Sequence, residues 1–171
     1  MWSHQDSTYL YQNIGGIEMN EIKRCVTVMI PHDETVNDSD MEFLVLEHVK
    51  CKHKFTFPAG TCEPHEDTYY TVQREMMEEL SLRIKYHDIQ RRFQRMAYYD
   101  RIDGHKAYLE TTFMIRRGNQ AITNMEPEKH PSFKWVSLKE IFNNPSEYTY
   151  NTWLCAAEIL RERNELNIAD M

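Results

Sequence analysis

The stretch REMMEEL (74–80) places one arginine and three glutamates within six residues. On a helix, Glu75, Glu78 and Glu79 fall at i, i+3 and i+4 and share one face, where like charges repel. Such a carboxylate cluster offers the oxygen ligands that Mg²⁺ or Mn²⁺ takes in proteins, and a bound ion would remove the repulsion. The same ion could bridge this acidic chain to a phosphorylated substrate. The alternative interpretation is a solvated, salt-bridged helix face, which is the commoner role of a charge run.

The helix that would carry these carboxylates is predicted to run from Asp67 to about Leu80. Tyr69, Val72 and Met76 recur with Leu80 on a single face at about 100° per residue. The glutamates fall on a different face. The pattern therefore predicts a helix that is apolar on one side and strongly anionic on the other.

Strand-like segments lie on both sides of this helix. Residues 41–49 (MEFLVLEHV) are apolar on both faces and are predicted to form a central strand. Asp103-Gly104 predicts a hairpin between two long strands. Further predictions are a strand in KRCVTVMI, a turn in FTFPAG, a strand in FKWVSL (133–138), a short helix in LKEIF and a final helix from Glu147 to about Leu166. Together these elements indicate a single α+β domain with a mixed sheet over residues 22–171, after an irregular N-terminal extension at residues 1–21.

The composition narrows the classes of partner. The 171 residues carry a net charge of −7 without a basic stripe, which argues against binding of a nucleic-acid polymer. No apolar run is long enough to span a membrane, and the N-terminus lacks the pattern of a signal peptide. The four cysteines have no C-x-x-C spacing, which argues against a zinc ribbon and fits reduced thiols in the cytoplasm.

Residues 60–82, GTCEPHEDTYYTVQREMMEELSL, resemble the Nudix box, G-x5-E-x7-R-E-U-x-E-E-x-G-U, in which U is a bulky aliphatic residue. Every fixed position matches except one, where Ser81 replaces glycine. The FPAG and FKWVSL segments also fit, so the resemblance covers roughly residues 22–165. It implies a Nudix-type α/β/α sandwich with a mixed β-sheet and a catalytic loop–helix–loop. It also implies a metal-dependent hydrolase of phosphoanhydride bonds.

The resemblance implies catalytic or metal-binding roles for several residues. Glu75, Glu78 and Glu79 match the metal-binding glutamates of the family, and Glu75 is also a candidate general base. Arg74 matches the arginine that orients the glutamate beside it. The backbone carbonyl of Ala59 matches a position that commonly adds a metal ligand. The expected cofactor is Mg²⁺ or Mn²⁺.

Three more box residues are expected to shape the site. Glu66 matches a glutamate that is often tied to the box arginine by a salt bridge. Gly60 is expected because the loop must turn sharply toward the metal site. Ser81 is predicted to take the left-handed conformation that ends the helix, at a cost of about 1 kcal/mol that glycine would avoid.

Family members often supply one more acidic residue from a loop before the tryptophan-containing strand. Here that loop reads NMEPEKHPSFKWV, and Glu128 and Glu126 are the candidates. His130 is a third, since some relatives place a histidine there as general base. A polar surface loop without a catalytic role is the alternative for all three.

The family cleaves a nucleoside diphosphate linked to a second group, which the fold does not fix. Tyr98 and Tyr99 lie sixteen and seventeen residues past the box, where dinucleoside polyphosphate-cleaving relatives tend to carry a tyrosine that could stack on an adenine. We therefore favour dinucleoside polyphosphates, although both tyrosines could instead only pack within their strand.

Nucleoside triphosphates, including damaged ones, nucleoside diphosphate sugars and ADP-ribose are alternatives. ADP-ribose is less favoured because Ala97 replaces a proline typical of its hydrolases. An alternative of another class is a non-catalytic nucleotide-binding module. The oligomeric state is open.

Overall fold

The computed structural model describes residues 22–36, 40–101 and 104–163, without the side chains of 98–101 and 104–106. The predicted N-terminal extension, residues 1–21, lies outside them. None of the helices in the described ranges is long and apolar enough to cross a membrane. The elements are β1 (Ile22–Met29), β2 (Glu42–His48), β3 (Lys54–Thr56), β4 (Ala59–Thr61), α1 (Thr68–Leu80), β5 (Ile89–Arg101), β6 (Gly104–Ile115), β7 (Phe133–Ser137), α2 (Leu138–Asn143) and α3 (Tyr150–Glu162).

The strands form two sheets. The first has the order β4-β1-β6-β5 and is mixed, because β1 is parallel to β6 whereas the β1–β4 and β5–β6 pairs are antiparallel. The second has the order β3-β2-β7 and is antiparallel throughout. The strand predicted at 41–49 is therefore central, as its apolar residues on both faces indicated.

Two apolar cores lie on opposite faces of the sheets, and β2 contributes to both. Leu44 and Leu46 belong to the core under α1, whereas Phe43 and Val45 belong to the core under α2 and α3. The apolar face predicted for α1 is confirmed by its fully buried residues, Val72, Met76 and Leu80. The chain is an α+β protein with a helix layer on each side of the strands, which confirms the predicted sandwich.

Local signals fix both ends of α1. The side chain of Asp67 accepts a hydrogen bond from the backbone N–H of Tyr70 at 2.9 Å and so caps the first turn. At the other end, Ser81 has a φ of 57° and a ψ of 34°, and its N–H bonds to the carbonyl of Met77 at 3.1 Å. The prediction that Ser81 is left-handed is confirmed.

Two element predictions are wrong in detail. The segment FTFPAG, predicted as a turn, contributes residues to two short strands, because its backbone pairs with β2 and β1 on either side of Phe57-Pro58. The last helix begins at Tyr150 and not near Glu147, since the Thr149 side chain caps its first turn. The hairpin between β5 and β6 is confirmed by their antiparallel pairing, and residues 102–103 lie outside the described ranges.

Candidate active site

Arg74 is the centre of the ion-pair network on the polar side of α1. Its guanidinium binds Glu66 through two bonds, Nε to Oε2 at 2.7 Å and Nη2 to Oε1 at 2.8 Å. Its Nη1 lies 2.9 Å from Oε1 of Glu75 and 3.2 Å from Oε2 of Glu78, and Nη2 also donates to the carbonyl of Thr61 at 3.1 Å. The planar guanidinium therefore holds three carboxylates and the end of β4 in one arrangement.

Glu66 anchors this network from the loop before α1. Hydrogen bonds from Arg74 lower the pKa of Glu66 to about 2, and the backbone N–H of Glu63 and the hydroxyl of Thr71 also donate to its carboxylate. Glu66 is therefore ionised at any physiological pH. The salt bridge predicted between Glu66 and Arg74 is confirmed.

Glu75 lies against the backbone of β4. A Cβ atom added to Gly60 would lie 2.2 Å from Cδ of Glu75, far inside the contact distance of two carbon atoms. Gly60 itself pairs with Val26 in the sheet, and it is not among the described glycines with positive φ. The expectation that Gly60 serves a sharp turn is therefore wrong. The glycine is needed because the Glu75 side chain occupies the space beside it.

The carboxylate of Glu75 is only 12% exposed. Burial raises the pKa of Glu75, although the charge of Arg74 opposes the rise. A raised pKa means a higher affinity for a proton, and the ion pair with Arg74 keeps the carboxylate in place. Glu75 is therefore suited to accept a proton from water. Ala59, whose carbonyl was expected to add a metal ligand, precedes Gly60 in β4, and Gly60 is the residue beside which the Glu75 side chain lies.

Glu79 is the buried member of the three helix glutamates. Its side chain is 3% exposed, whereas that of Glu78 is 55% exposed, so the predicted anionic face is not uniformly solvated. Burial raises the pKa of Glu79 to about 8, and the nearby carboxylates of Glu75 and Glu126 add to the rise. Its Oε2 is buried without a hydrogen-bond partner. An orphaned carboxylate oxygen at this depth indicates a place for a cation.

Lys129 contacts the candidate site, and the sequence analysis did not single it out. Its Nζ lies 3.4 Å from Oε1 of Glu79 and 3.5 Å from Oε2 of Glu126. Burial lowers the pKa of Lys129, but the two carboxylates outweigh that effect and raise it overall. The ammonium group therefore provides a positive charge between two acids that would otherwise repel. No local pattern in PEKHP could have indicated this, because the contact spans fifty residues of chain.

The loop 124–130 brings two of its three predicted candidates to Glu79. A ligand atom of Glu79, one of Glu126 and one of His130 all lie within 4.8 Å of one another. Glu128 is exposed and is not part of this group of described residues. His130 is 3% exposed, and burial lowers its pKa, so that its ring is neutral near pH 7.

The donor set fits a divalent metal ion. Among the described residues, the ligand atoms grouped within 4.8 Å of one another belong to Glu79, Glu126 and His130, whereas Glu75 and Glu78 are paired with Arg74 and lie outside this group. The carboxylate oxygens of Glu79 and Glu126, with the orphaned Oε2 of Glu79, are of the kind that Mg²⁺ and Mn²⁺ prefer. The residues that could hold the ion are Glu75, Glu78, Glu79 and Glu126, with the backbone carbonyl of Ala59. The tyrosines predicted to contact the substrate, Tyr98 and Tyr99, lie near the end of β5, and their side chains are outside the description.

Comparisons with known proteins identify the family and the fold. The family model of the NUDIX domain matches residues 34–154. No curated protein sequence matches the chain. Among solved structures, a C. elegans Ap4A hydrolase binary complex matches with a TM-score of 0.60 at 15% identity, over 84% of this chain and 99% of that one.

Two further structures have similar folds. The MutT NUDIX hydrolase from Burkholderia pseudomallei matches with a TM-score of 0.63 at 17% identity, over 80% of this chain and 96% of that one. A bifunctional NMN adenylyltransferase/ADP ribose pyrophosphatase from Francisella tularensis matches with a TM-score of 0.59 at 17% identity, over 92% of this chain and 46% of that one. At such low identities these likenesses show the fold alone.

Proposed function

This chain belongs to the NUDIX family of hydrolases, and we propose that it cleaves a phosphoanhydride bond of a dinucleoside polyphosphate. Members of the family act on small nucleotides and generally need divalent metal ions. The proposal rests on two features found on the same helix. Arg74 orders a cluster of carboxylates, and Glu79 has a buried oxygen without a hydrogen-bond partner. A module that only binds nucleotides would not need this acid set, which is costly to bury.

The proposed roles follow from the contacts of each side chain. Glu75, Glu78 and Glu79 would hold the metal ion together with the backbone carbonyl of Ala59. When bound, a divalent ion polarises a phosphoryl oxygen and lowers the pKa of the attacking water. Glu75 accepts the proton of that water, and Arg74 fixes its carboxylate through the bond at 2.9 Å.

One residue of the loop 124–130 supports this chemistry. Of the three candidates, Glu126 and His130 are favoured because they lie beside Glu79, whereas Glu128 is exposed to solvent. Glu126 extends the carboxylate cluster across the cleft between α1 and the loop. The ammonium group of Lys129 lies between the carboxylates of Glu126 and Glu79. A metal ion can take the place of this positive charge.

The choice of substrate rests on two supports. Tyr98 and Tyr99 occupy the sequence position at which a stacking tyrosine is expected, and one similar structure is that of an Ap4A hydrolase. Stacking on the second base would give a dinucleoside polyphosphate an affinity that a mononucleotide lacks. A nucleoside triphosphate is the second candidate, since a MutT hydrolase has a similar fold.

A substrate panel tests the proposal. Purified protein is incubated with dinucleoside polyphosphates, nucleoside triphosphates, nucleoside diphosphate sugars and ADP-ribose, each with Mg²⁺ or Mn²⁺, and products are separated by chromatography. We expect the highest kcat/KM for a dinucleoside polyphosphate, and loss of activity on chelation. Glu79→Gln should lower turnover at least about a hundredfold, because it removes a metal-binding charge. Turnover without added metal would contradict the mechanism, and preference for a triphosphate would contradict the substrate.

The tyrosines give a second test of substrate class. One of the two variants, Tyr98→Ala or Tyr99→Ala, should remove the stacking ring. It should raise KM for a dinucleoside polyphosphate by the factor that corresponds to a loss of about 1–3 kcal/mol of stacking free energy. The same change should leave KM for a nucleoside triphosphate nearly unaltered, which makes that substrate the internal control. Equal losses on both substrates would indicate a packing defect and remove the tyrosines from the proposed site.

A further inference from the structure

One ring nitrogen of His130 has no hydrogen-bond partner. Its Nδ1 lies 3.0 Å from the carbonyl oxygen of Glu47, and its Nε2 is buried with no hydrogen-bond partner. Because a carbonyl oxygen can only accept, Nδ1 must carry the ring proton and donate it. The neutral ring therefore offers a bare lone pair at Nε2, as metal-binding histidines do when a backbone carbonyl holds their other nitrogen.

The loop that carries His130 is tied to the end of α1 and is thus a built part of the site. The backbone N–H of Met125 donates to the carbonyl of Glu79 at 2.9 Å. The carbonyl of Glu126 accepts from the N–H of His130 at 2.9 Å, and the side chain of Asn124 donates to the carbonyl of His130 at 2.7 Å. These bonds hold the imidazole and the Glu126 carboxylate beside Glu79 without help from a ligand.

Two polar atoms of this group lack partners although they are buried. They are Nε2 of His130 and Oε2 of Glu79, both on residues that are 3% exposed. Ligand atoms of Glu79, Glu126 and His130 lie within 4.8 Å of one another. Metal bonds of about 2.1 Å place adjacent octahedral ligands about 3 Å apart and opposite ones about 4.2 Å apart, so small side-chain rotations would complete the site.

We propose that Glu79, Glu126 and His130 bind a divalent transition-metal ion, with His130 Nε2 as a nitrogen ligand that makes the site prefer Mn²⁺ over Mg²⁺. This inference rests on the proposed metal-dependent function. It specifies the ion that this part of the site selects. Carboxylates bind both ions, whereas an imidazole suits transition metals and is a poor ligand for Mg²⁺. The nitrogen ligand is therefore the feature that discriminates between them.

Lys129 competes with the metal ion for the carboxylates but does not discriminate between Mn²⁺ and Mg²⁺. Its ammonium group lies between Glu79 and Glu126, and its side chain is 42% exposed, so it can swing into solvent when a metal ion binds. Lys129→Met should therefore tighten the binding of Mn²⁺ and Mg²⁺ by the same factor. His130→Asn should instead change the ratio of the two dissociation constants. Asparagine is chosen because its amide N–H can replace Nδ1 as donor to Glu47 while nothing replaces Nε2.

The experiment measures metal binding to untagged, metal-free protein without any substrate. Mn²⁺ binding is followed by its EPR signal, Mg²⁺ binding by competition with Mn²⁺, and nitrogen ligation by ¹⁴N coupling in the pulsed EPR spectrum of bound Mn²⁺. We expect a directly bound ¹⁴N in the wild type. We expect its loss in His130→Asn, with a fall of at least about tenfold in the preference for Mn²⁺.

His48→Asn is the matched control. The ring of His48 packs edge-on against that of His130 with centroids 5.0 Å apart, but it is not one of the three clustered residues. This variant should keep both the ¹⁴N coupling and the metal preference. Bound Mn²⁺ without ¹⁴N coupling in the wild type, or coupling that persists in His130→Asn, would overturn the inference and leave the hydrolase proposal standing. Failure to bind either ion would overturn both.

Discussion

The side chain of Glu75 fills the space that a Cβ atom at Gly60 would occupy, at 2.2 Å from its carboxyl carbon. The two residues lie on different elements, β4 and α1, and only the fold brings them together. Gly60 lies in extended sheet backbone, so alanine would meet no backbone strain there. Substitution of Gly60 is therefore a way to move the carboxylate of Glu75 without altering its chemistry.

Gly60→Ala should lower kcat at least about tenfold while the protein stays folded. The added methyl group must push Glu75 from the position in which Arg74 holds it, and misplacement of a catalytic group by about 1 Å can cost a hundredfold. Turnover and melting temperature are measured together. Gly118→Ala is the control, because Gly118 has a φ of 59° and open space around it, so it should lose stability and keep its kcat. Wild-type turnover in Gly60→Ala would contradict the role given to Glu75.

Relative to Glu79→Gln, the metal-free wild-type protein should lose stability as pH rises from about 5 to 8. The pKa of Glu79 is about 8 in the folded chain, against 4.5 ordinarily, because the carboxyl is buried. Between these values the folded state holds a proton that the unfolded state has lost, so a rise in pH favours unfolding. The contribution is about 2–4 kcal/mol over this range, and denaturant titration at several pH values measures it.

The comparison for that pH profile is Glu79→Gln, which cannot titrate at position 79. His48 and His130, whose pKa values are lowered by burial, act in the opposite direction below pH 6.5 and do so in both proteins. The difference between the two profiles therefore reports the titration of Glu79 together with its charge interactions with neighbouring groups. Saturating Mn²⁺ should abolish the fall in the wild type, since a bound metal ion holds the carboxylate ionised. Parallel profiles for the two proteins would refute the buried, proton-binding state of Glu79.

Glu126→Gln should weaken Mn²⁺ binding and lower turnover, whereas Glu128→Gln should leave both within about twofold of wild type. The reason is position, since Glu126 lies in the group around Glu79 and Glu128 is exposed. The pair is well matched, because both changes remove one negative charge from the same loop. A larger loss in Glu128→Gln would return the catalytic assignment to Glu128.

Ser81→Gly should raise the melting temperature by about 1–3 °C and leave kcat nearly unchanged. Glycine relieves the left-handed backbone at a φ of 57°, a gain of about 1 kcal/mol that its greater unfolded-state entropy partly offsets. Ser81→Ala is the comparison, since alanine keeps the strain and should give no rise. A lower melting temperature in Ser81→Gly would show that the serine side chain supplies a stabilising contact.

The sequence was sufficient to predict what local patterns determine. The helix Thr68–Leu80 follows from periodicity, and the left-handed Ser81 follows from the backbone preference at a helix end. The capping role of Asp67 was not predicted. The Arg74–Glu66 salt bridge followed from resemblance to a family pattern. The sandwich fold likewise followed from strand and helix patterns together with that resemblance.

Contacts between distant segments could not be predicted in this way. Glu79 lies on the same predicted face as Glu78, and only the loop 124–130 covering it explains why one is buried and the other exposed. The reason for Gly60 depends on a side chain fifteen residues away on another element. The short strand β4 carries too few residues to show a period of two, so its pairing with β1 was invisible in the sequence.

The salt bridge between Lys129 and Glu79 also bears on the order in which the protein folds and binds a metal ion. A newly made chain carries its own positive charge to this acidic site, where the Lys129 ammonium group offsets the repulsion between the carboxylates of Glu79 and Glu126. Folding therefore need not wait for a metal ion, unlike the folding of small domains that are unfolded until they bind zinc. Metal loading would then exchange one cation for another in a structure that is already folded.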